Sequence, residues 1–160
     1  MKHIHTFESF LNESRTGVKI KSLYHGNKSG VKLSDINFSN HCYFYLTPIY
    51  RYALDYAKGN EEGVTELKID TSKLLDLRFL NVNKIDSKTF HKKTKQHFPS
   101  KVLSKNTNSA LWELIRLDFD CEIKKVFQSR GFDGLIIIEK KNNELFESYV
   151  LFNANPIVGG

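Results

Sequence analysis

Three short stretches of this 160-residue chain carry side chains able to do chemistry. Tyr24-His25-Gly26 ends an apolar run and is followed by Asn27-Lys28-Ser29-Gly30. An imidazole, which can donate or accept hydrogen bonds at neutral pH, thus stands where a strand stops and flexible backbone begins. Gly26 tolerates positive φ and lets a ligand approach the main chain. Tyr45 and Tyr56 stand eleven residues apart with Thr47 between them, and Glu147-Ser148 lies near the C-terminal end. Each has a plainer use: His25 as a structural strand end, the tyrosines as core, Thr47 as a helix cap, Glu147 as a surface strand residue. His3, His5, His41, His91 and His97 show no metal-ligand spacing, so no metal is expected.

Bulk properties set the frame. The length suits one domain with a real core, and 40% hydrophobic with 12% aromatic residues argues for a folded chain. Net charge is +6 with a pI near 9.2. Between Lys84 and Asn108 there are seven lysines against one aspartate, which accounts for the whole excess. That stretch reads as a solvated, partly helical insertion, or as a basic surface that meets a phosphate backbone. Cys42 and Cys121 are too few and too far apart for a disulfide framework or a zinc site, so free thiols in a reducing cytosol are expected. No run reaches the length of a membrane span, and no secretory signal is read, so a soluble protein is expected.

The elements that must position these residues follow from pattern. Ile4, Phe7, Phe10 and Leu11 recur at helical spacing in an amphipathic opening segment over 1–15. Strands are expected over 18–24, 42–46 and 63–69. A short helix is expected around Leu33 to Ile36. Thr47-Pro48 opens a helix with an i, i+3, i+4, i+7 stripe of Ile49, Tyr52, Ala53 and Tyr56 that stops at Gly59. An apolar segment over 74–80 and two helices, around Leu111 to Phe119 and Ile123 to Phe127, precede a Gly131-Phe132-Asp133-Gly134 turn. Leu135 to Ile138 and Leu145 to Phe152 then form a hairpin about a polar turn at Lys140 to Asn143. Short strands with interspersed helices indicate an α+β class, without the regular alternation of a doubly wound sheet.

Taken together, Tyr24-His25-Gly26, Phe44-Tyr45-Leu46-Thr47 with Tyr56, and Glu147-Ser148-Tyr149-Val150-Leu151-Phe152 resemble the ADP-ribosyltransferase superfamily, in its His-Tyr-Glu branch (diphtheria-toxin-like and poly(ADP-ribose) polymerase-like). The likeness runs from Val18 to Val158 and includes the Gly-Phe-Asp-Gly turn. It implies split, mostly antiparallel β-sheets around an NAD cleft with flanking helices. It implies NAD as substrate, with His25, Gly26, Tyr45, Thr47, Tyr56 and Ser148 binding it and Glu147, His25 and Tyr45 catalytic. The chemistry is cleavage of the nicotinamide–ribose bond through an oxocarbenium-like state, as in glycoside cleavage. Phe7 to Glu13 resembles the leaders of internal capsid proteins of large tailed bacteriophages, in which a prohead protease cuts after a triplet such as Leu11-Asn12-Glu13.

One block departs from the family pattern. The acid's position, immediately before Tyr149-Val150, holds Ser148, and Glu147 lies one residue earlier. In a regular strand that offset turns the side chain to the opposite face. Either a bulge brings Glu147 in, or Ser148 takes the acid's place and activity is weak or absent, or Glu144 or Glu139 reaches in from the hairpin. The expected function is a phage-encoded, monomeric NAD-dependent mono-ADP-ribosyltransferase (glycosyltransferase class). It acts on a macromolecule in the host cytoplasm or is packaged in a virion. Its acceptor, a nucleic acid or an acidic protein, would be met by Lys84 to Asn108. The competing readings are a catalytically silent NAD-binding or interaction module, and a basic nucleic-acid-binding protein.

Overall fold

The computed structural model describes residues 19–28, 36, 38, 42–105 and 108–159. The leader over 1–15 and nearly all of the helix expected at 33–36 lie outside them. The architecture is α+β, with two sheets that are antiparallel except for one pair. The first sheet has the order β1 (Ile20–Gly26), β3 (Val64–Asp70), β7 (Ile157–Val158). The second has the order β2 (Phe44–Leu46), β6 (Glu144–Leu151), β5 (Gly134–Lys141), β4 (Leu74–Asp76), with β4 and β5 parallel. Among the described residues no helix is long and apolar enough to cross a membrane.

Alternation sorts the core into two layers. Leu135 and Ile137 of β5, Val150 of β6 and Phe152 just after it face the helices, where they meet Phe90, Leu111, Leu114, Ile123 and Phe127. Ile136, Tyr149 and Leu151 face the other sheet, where they meet Leu23, Leu67 and Ile69. A β-strand turns successive side chains to opposite faces, so an eight-residue strand can serve both layers. Asn142 and Asn143 both have positive φ and close the β5–β6 hairpin in two residues, as a type I′ turn requires.

Among the described residues are five α-helices, α1 (Tyr50–Tyr56), α2 (Ser87–Thr94), α3 (Ser100–Lys105), α4 (Leu111–Leu117) and α5 (Glu122–Ser129), and two single 3-10 turns at Glu61–Gly63 and Arg78–Leu80. The helix expected at Thr47 begins at Tyr50, because the Thr47 hydroxyl accepts from the Ile49 N–H (3.1 Å) and caps the turn before it. The lysine-rich stretch is α2, α3 and their connections, anchored by the buried Phe90, Phe98 and Val102. Its lysines at 84, 88, 92, 93, 95 and 101 are exposed. Its one acid, Asp86, is engaged as the cap of α2, accepting from the Lys88 N–H (3.1 Å) and the Thr89 hydroxyl (2.8 Å).

The expectation of free thiols is corrected. Cys42 and Cys121, 79 residues apart in sequence, form a disulfide with Cα atoms 5.3 Å apart. Spacing along the chain does not report spacing in the fold, and here the start of β2 and the start of α5 lie side by side. Asp118 reinforces the corner. It accepts from the Glu122 and Ile123 N–H groups (3.0 and 2.9 Å), capping α5, and from the Tyr43 hydroxyl.

Candidate functional site

The two sheets meet at a bridge between Tyr24 and Thr47, whose backbones exchange N–H···O bonds of 2.8 and 2.9 Å. This seam sets the end of β1 against β2 and so brings His25 to Tyr45. His25 Nδ1 lies 2.8 Å from the Tyr45 carbonyl oxygen. A carbonyl only accepts, so Nδ1 carries the proton. Burial pulls the His25 pKa below its ordinary 6.5, with the bond to Tyr45 opposing. The ring is therefore neutral at pH 7 and its Nε2 is an acceptor. Phe44 stacks on it at 4.2 Å.

Gly26 does a different job from the one expected. Its φ is not positive, and what comes close is α1: a Cβ there would collide with the Ala53 carbonyl oxygen and press on Tyr56 Cβ. The glycine lets α1 lie directly against β1, which carries Tyr56 to the mouth of a cavity of about 270 Å³. Its lining brings together His25, Gly26, Tyr45, Thr47, Tyr56 and Ser148, with Phe146, Arg116 and Glu139.

Glu147 is not among them. Ser148 pairs with Ile137 and Glu147 with Ile138 in unbroken register, so no bulge rotates Glu147 toward the cavity. Its side chain points to the opposite face, beside a separate hollow bordered by Arg78, Phe79 and Leu145. There it accepts from Arg78 (2.8 Å) and from the Tyr149 hydroxyl (2.9 Å), and Lys21 of β1 donates to that hydroxyl (3.0 Å). Burial opposes ionisation, but Arg78 and Tyr149 prevail and hold the carboxyl below its ordinary range. Glu144 pairs with Arg51 and Tyr52 at the far end of the hairpin.

The carboxylate in the cavity is Glu139, on β5 and only 3% exposed. Arg116 of α4 donates to it (3.1 Å) and to the Tyr56 hydroxyl (3.2 Å), while its guanidinium lies 5.1 Å above the Trp112 ring. Lys141 sits over the Tyr56 ring at 4.4 Å. Burial, then the charge of Glu139, raises the pKa of both Tyr45 and Tyr56, so both hydroxyls stay protonated and can donate. Arg116 and Phe146 were not singled out in the sequence. An exposed arginine on a short amphipathic helix carries no local signal, whereas Phe146 shares the parity of Ser148 and could have been read with it.

The cavity gathers aromatic side chains, a neutral imidazole acceptor and two tyrosine hydroxyls beside the Glu139–Arg116 pair. It offers contact to a planar ring and hydrogen bonds to polar groups attached to it. Among the described residues no group of three or more His, Cys, Asp or Glu could hold a metal. No family model, no curated protein and no solved structure matches the chain.

Proposed function

We propose that the chain is an NAD-dependent mono-ADP-ribosyltransferase built on an ADP-ribosyltransferase-like fold, acting on a macromolecular acceptor and encoded by a bacteriophage. One observation carries the reading: blocks separated by over a hundred residues in sequence converge on a single cavity, with a neutral His25 and two protonated tyrosines. At about 270 Å³ that cavity is at the small end for ligand sites, enough for a nicotinamide and its ribose. The rest of the dinucleotide would extend along β1. His25 Nε2 would accept from a ribose hydroxyl, Thr47 and Ser148 would add polar contacts, and Tyr45 and Tyr56 would flank the ring.

A test is incubation with NAD labelled in its adenylate half, with a host lysate as acceptor source. Labelled macromolecule is expected, together with NAD-dependent thermal stabilisation. If NAD fails to raise the melting temperature, the reading falls. A silent NAD-binding module is favoured by Ser148 in the acid's position, and predicts stabilisation with no label and no nicotinamide release. The acceptor would dock on the exposed lysines of 84–108. A nucleic-acid acceptor predicts affinity that falls steeply with salt, whereas salt-insensitive capture argues against that surface.

A further inference from the structure

We infer that Glu139 is the carboxylate that acts on the nicotinamide ribose, supplied by β5 where the family pattern would supply it from β6, with Arg116 as its positioning residue. This rests on the NAD reading of the site above.

The register makes the substitution possible. β5 and β6 pair Ile137 with Ser148 and Glu139 with Phe146, so Glu139 and Ser148 are diagonal neighbours on one face. Diagonal positions lie about 7–8 Å apart between Cα atoms, within reach of a long side chain. Serine leaves the depth of a glutamate side chain unfilled, and Glu139 lines the same cavity from the next strand.

Its surroundings argue against a merely structural ion pair. Glu139 is 3% exposed while the Arg116 side chain is 50% exposed, so one charge is buried and its partner reaches in from solvent. Such a pair gives little net stability, and an aliphatic residue beside Leu135 and Ile137 would pack as well. What a buried carboxylate provides is a fixed negative field where positive charge develops. Arg116 also binds Tyr56, so one guanidinium holds the carboxylate and the ring-flanking tyrosine at a set separation.

The step balances without redox chemistry. The bond from ribose C1′ to the nicotinamide nitrogen breaks, and its electron pair leaves on nicotinamide, which departs neutral. Glu139 accepts from a ribose hydroxyl and stabilises the oxocarbenium character at C1′. An acceptor hydroxyl, amine or water then bonds to C1′ and loses its proton to Glu139 or solvent.

The test measures nicotinamide release and NAD-induced thermal shift in parallel on the full chain. Glu139→Gln, which keeps size and a hydrogen bond to Arg116, is expected to lose turnover by about 100-fold or more with the thermal shift retained. Glu139→Gln/Ser148→Glu moves the carboxylate to β6 and is expected to recover part of the loss, which also shows that the single variant is not simply misfolded. Arg116→Met is expected to lower kcat about tenfold or more with KM for NAD little changed, because the carboxylate and Tyr56 lose their common anchor, and Arg116→Lys to restore part of it. A purely structural Arg116 would lower the melting temperature and leave kcat of the folded protein in place. Glu139→Gln turning over within about threefold of wild type overturns the inference, as does wild type that binds NAD and releases no nicotinamide. A wild type that NAD does not stabilise overturns instead the reading on which the inference rests.

Discussion

The two faces of the β5–β6 hairpin each carry a glutamate paired with an arginine, and the pairs are built to different ends. On the face toward the first sheet, Glu147 is met by Arg78 and Tyr149, Arg78 is held in turn by Asp76 (2.7 Å), and Lys21 closes the chain across to β1. Every link leads to another, and the network ties one sheet to the other. On the cavity face, Glu139 has among the described residues the hydrogen bond from Arg116 alone, and a cavity in front of it. The lesson is that a carboxylate's type and nearness to a motif do not identify its use. What separates the two is how completely its partners saturate it and whether space remains beside it.

The largest effect should come from isosteric removal of each charge. Glu139→Gln is expected to lose about 100-fold or more in nicotinamide release, and Glu147→Gln to keep it with a modest fall in melting temperature. Equal losses of turnover in both would erase the distinction. Next, reduction of the Cys42–Cys121 disulfide opens a loop of 79 residues, worth about 4.5 kcal/mol in the chain-entropy account. Because the bridge joins β2 to the corner after α4, a reduced protein is expected to lose NAD-induced protection along with stability. Unchanged protection after reduction would show that the cavity face does not depend on that tie.

Gly26→Ala forces a Cβ into the Ala53 carbonyl and should cost about 1–3 kcal/mol, read as a drop in melting temperature. A neutral, buried His25 makes stability fall as pH drops below about 6.5, since the unfolded chain takes up a proton that the folded one resists. The same decline should flatten in His25→Gln. The smallest effect belongs to the other face. Arg78→Met should cost about 1 kcal/mol or less, because its partners are partly exposed and screened. Asp76 and Glu147 both titrate below their ordinary range, Asp76 mainly through Arg78. The stability they contribute is therefore full above about pH 4–5 and is lost as pH falls through their lowered values, so wild type and Arg78→Met should converge in acid.

Much of this was legible from pattern. The period-two alternation over 63–69 and the apolar run of Leu135 to Ile138 marked strands to within a few residues. The stripes of α1, α4 and α5 marked helices. β4 and β7, three and two residues long, are too short to show a period, and their pairing is decided by distant partners. The disulfide was misread because proximity arises only after folding. At the site, His25, Tyr45, Thr47, Tyr56 and Ser148 line one cavity; only the family resemblance had grouped them, since residues this far apart in sequence carry no local sign of their meeting. Glu139 could be distinguished from Glu144 and Glu147 only once the strand register was fixed, since parity along one strand says nothing of its offset from the next.

Phe146 borders both hollows and is packed flat against Tyr52, with ring centroids 4.2 Å apart. At 4% exposed and stacked on that ring, Phe146 has its rotamer set by its neighbours, so this part of the cavity lining is shaped before any guest arrives. The stacked Tyr52 behind it is tethered through Glu144 to Arg51 and stiffens that wall.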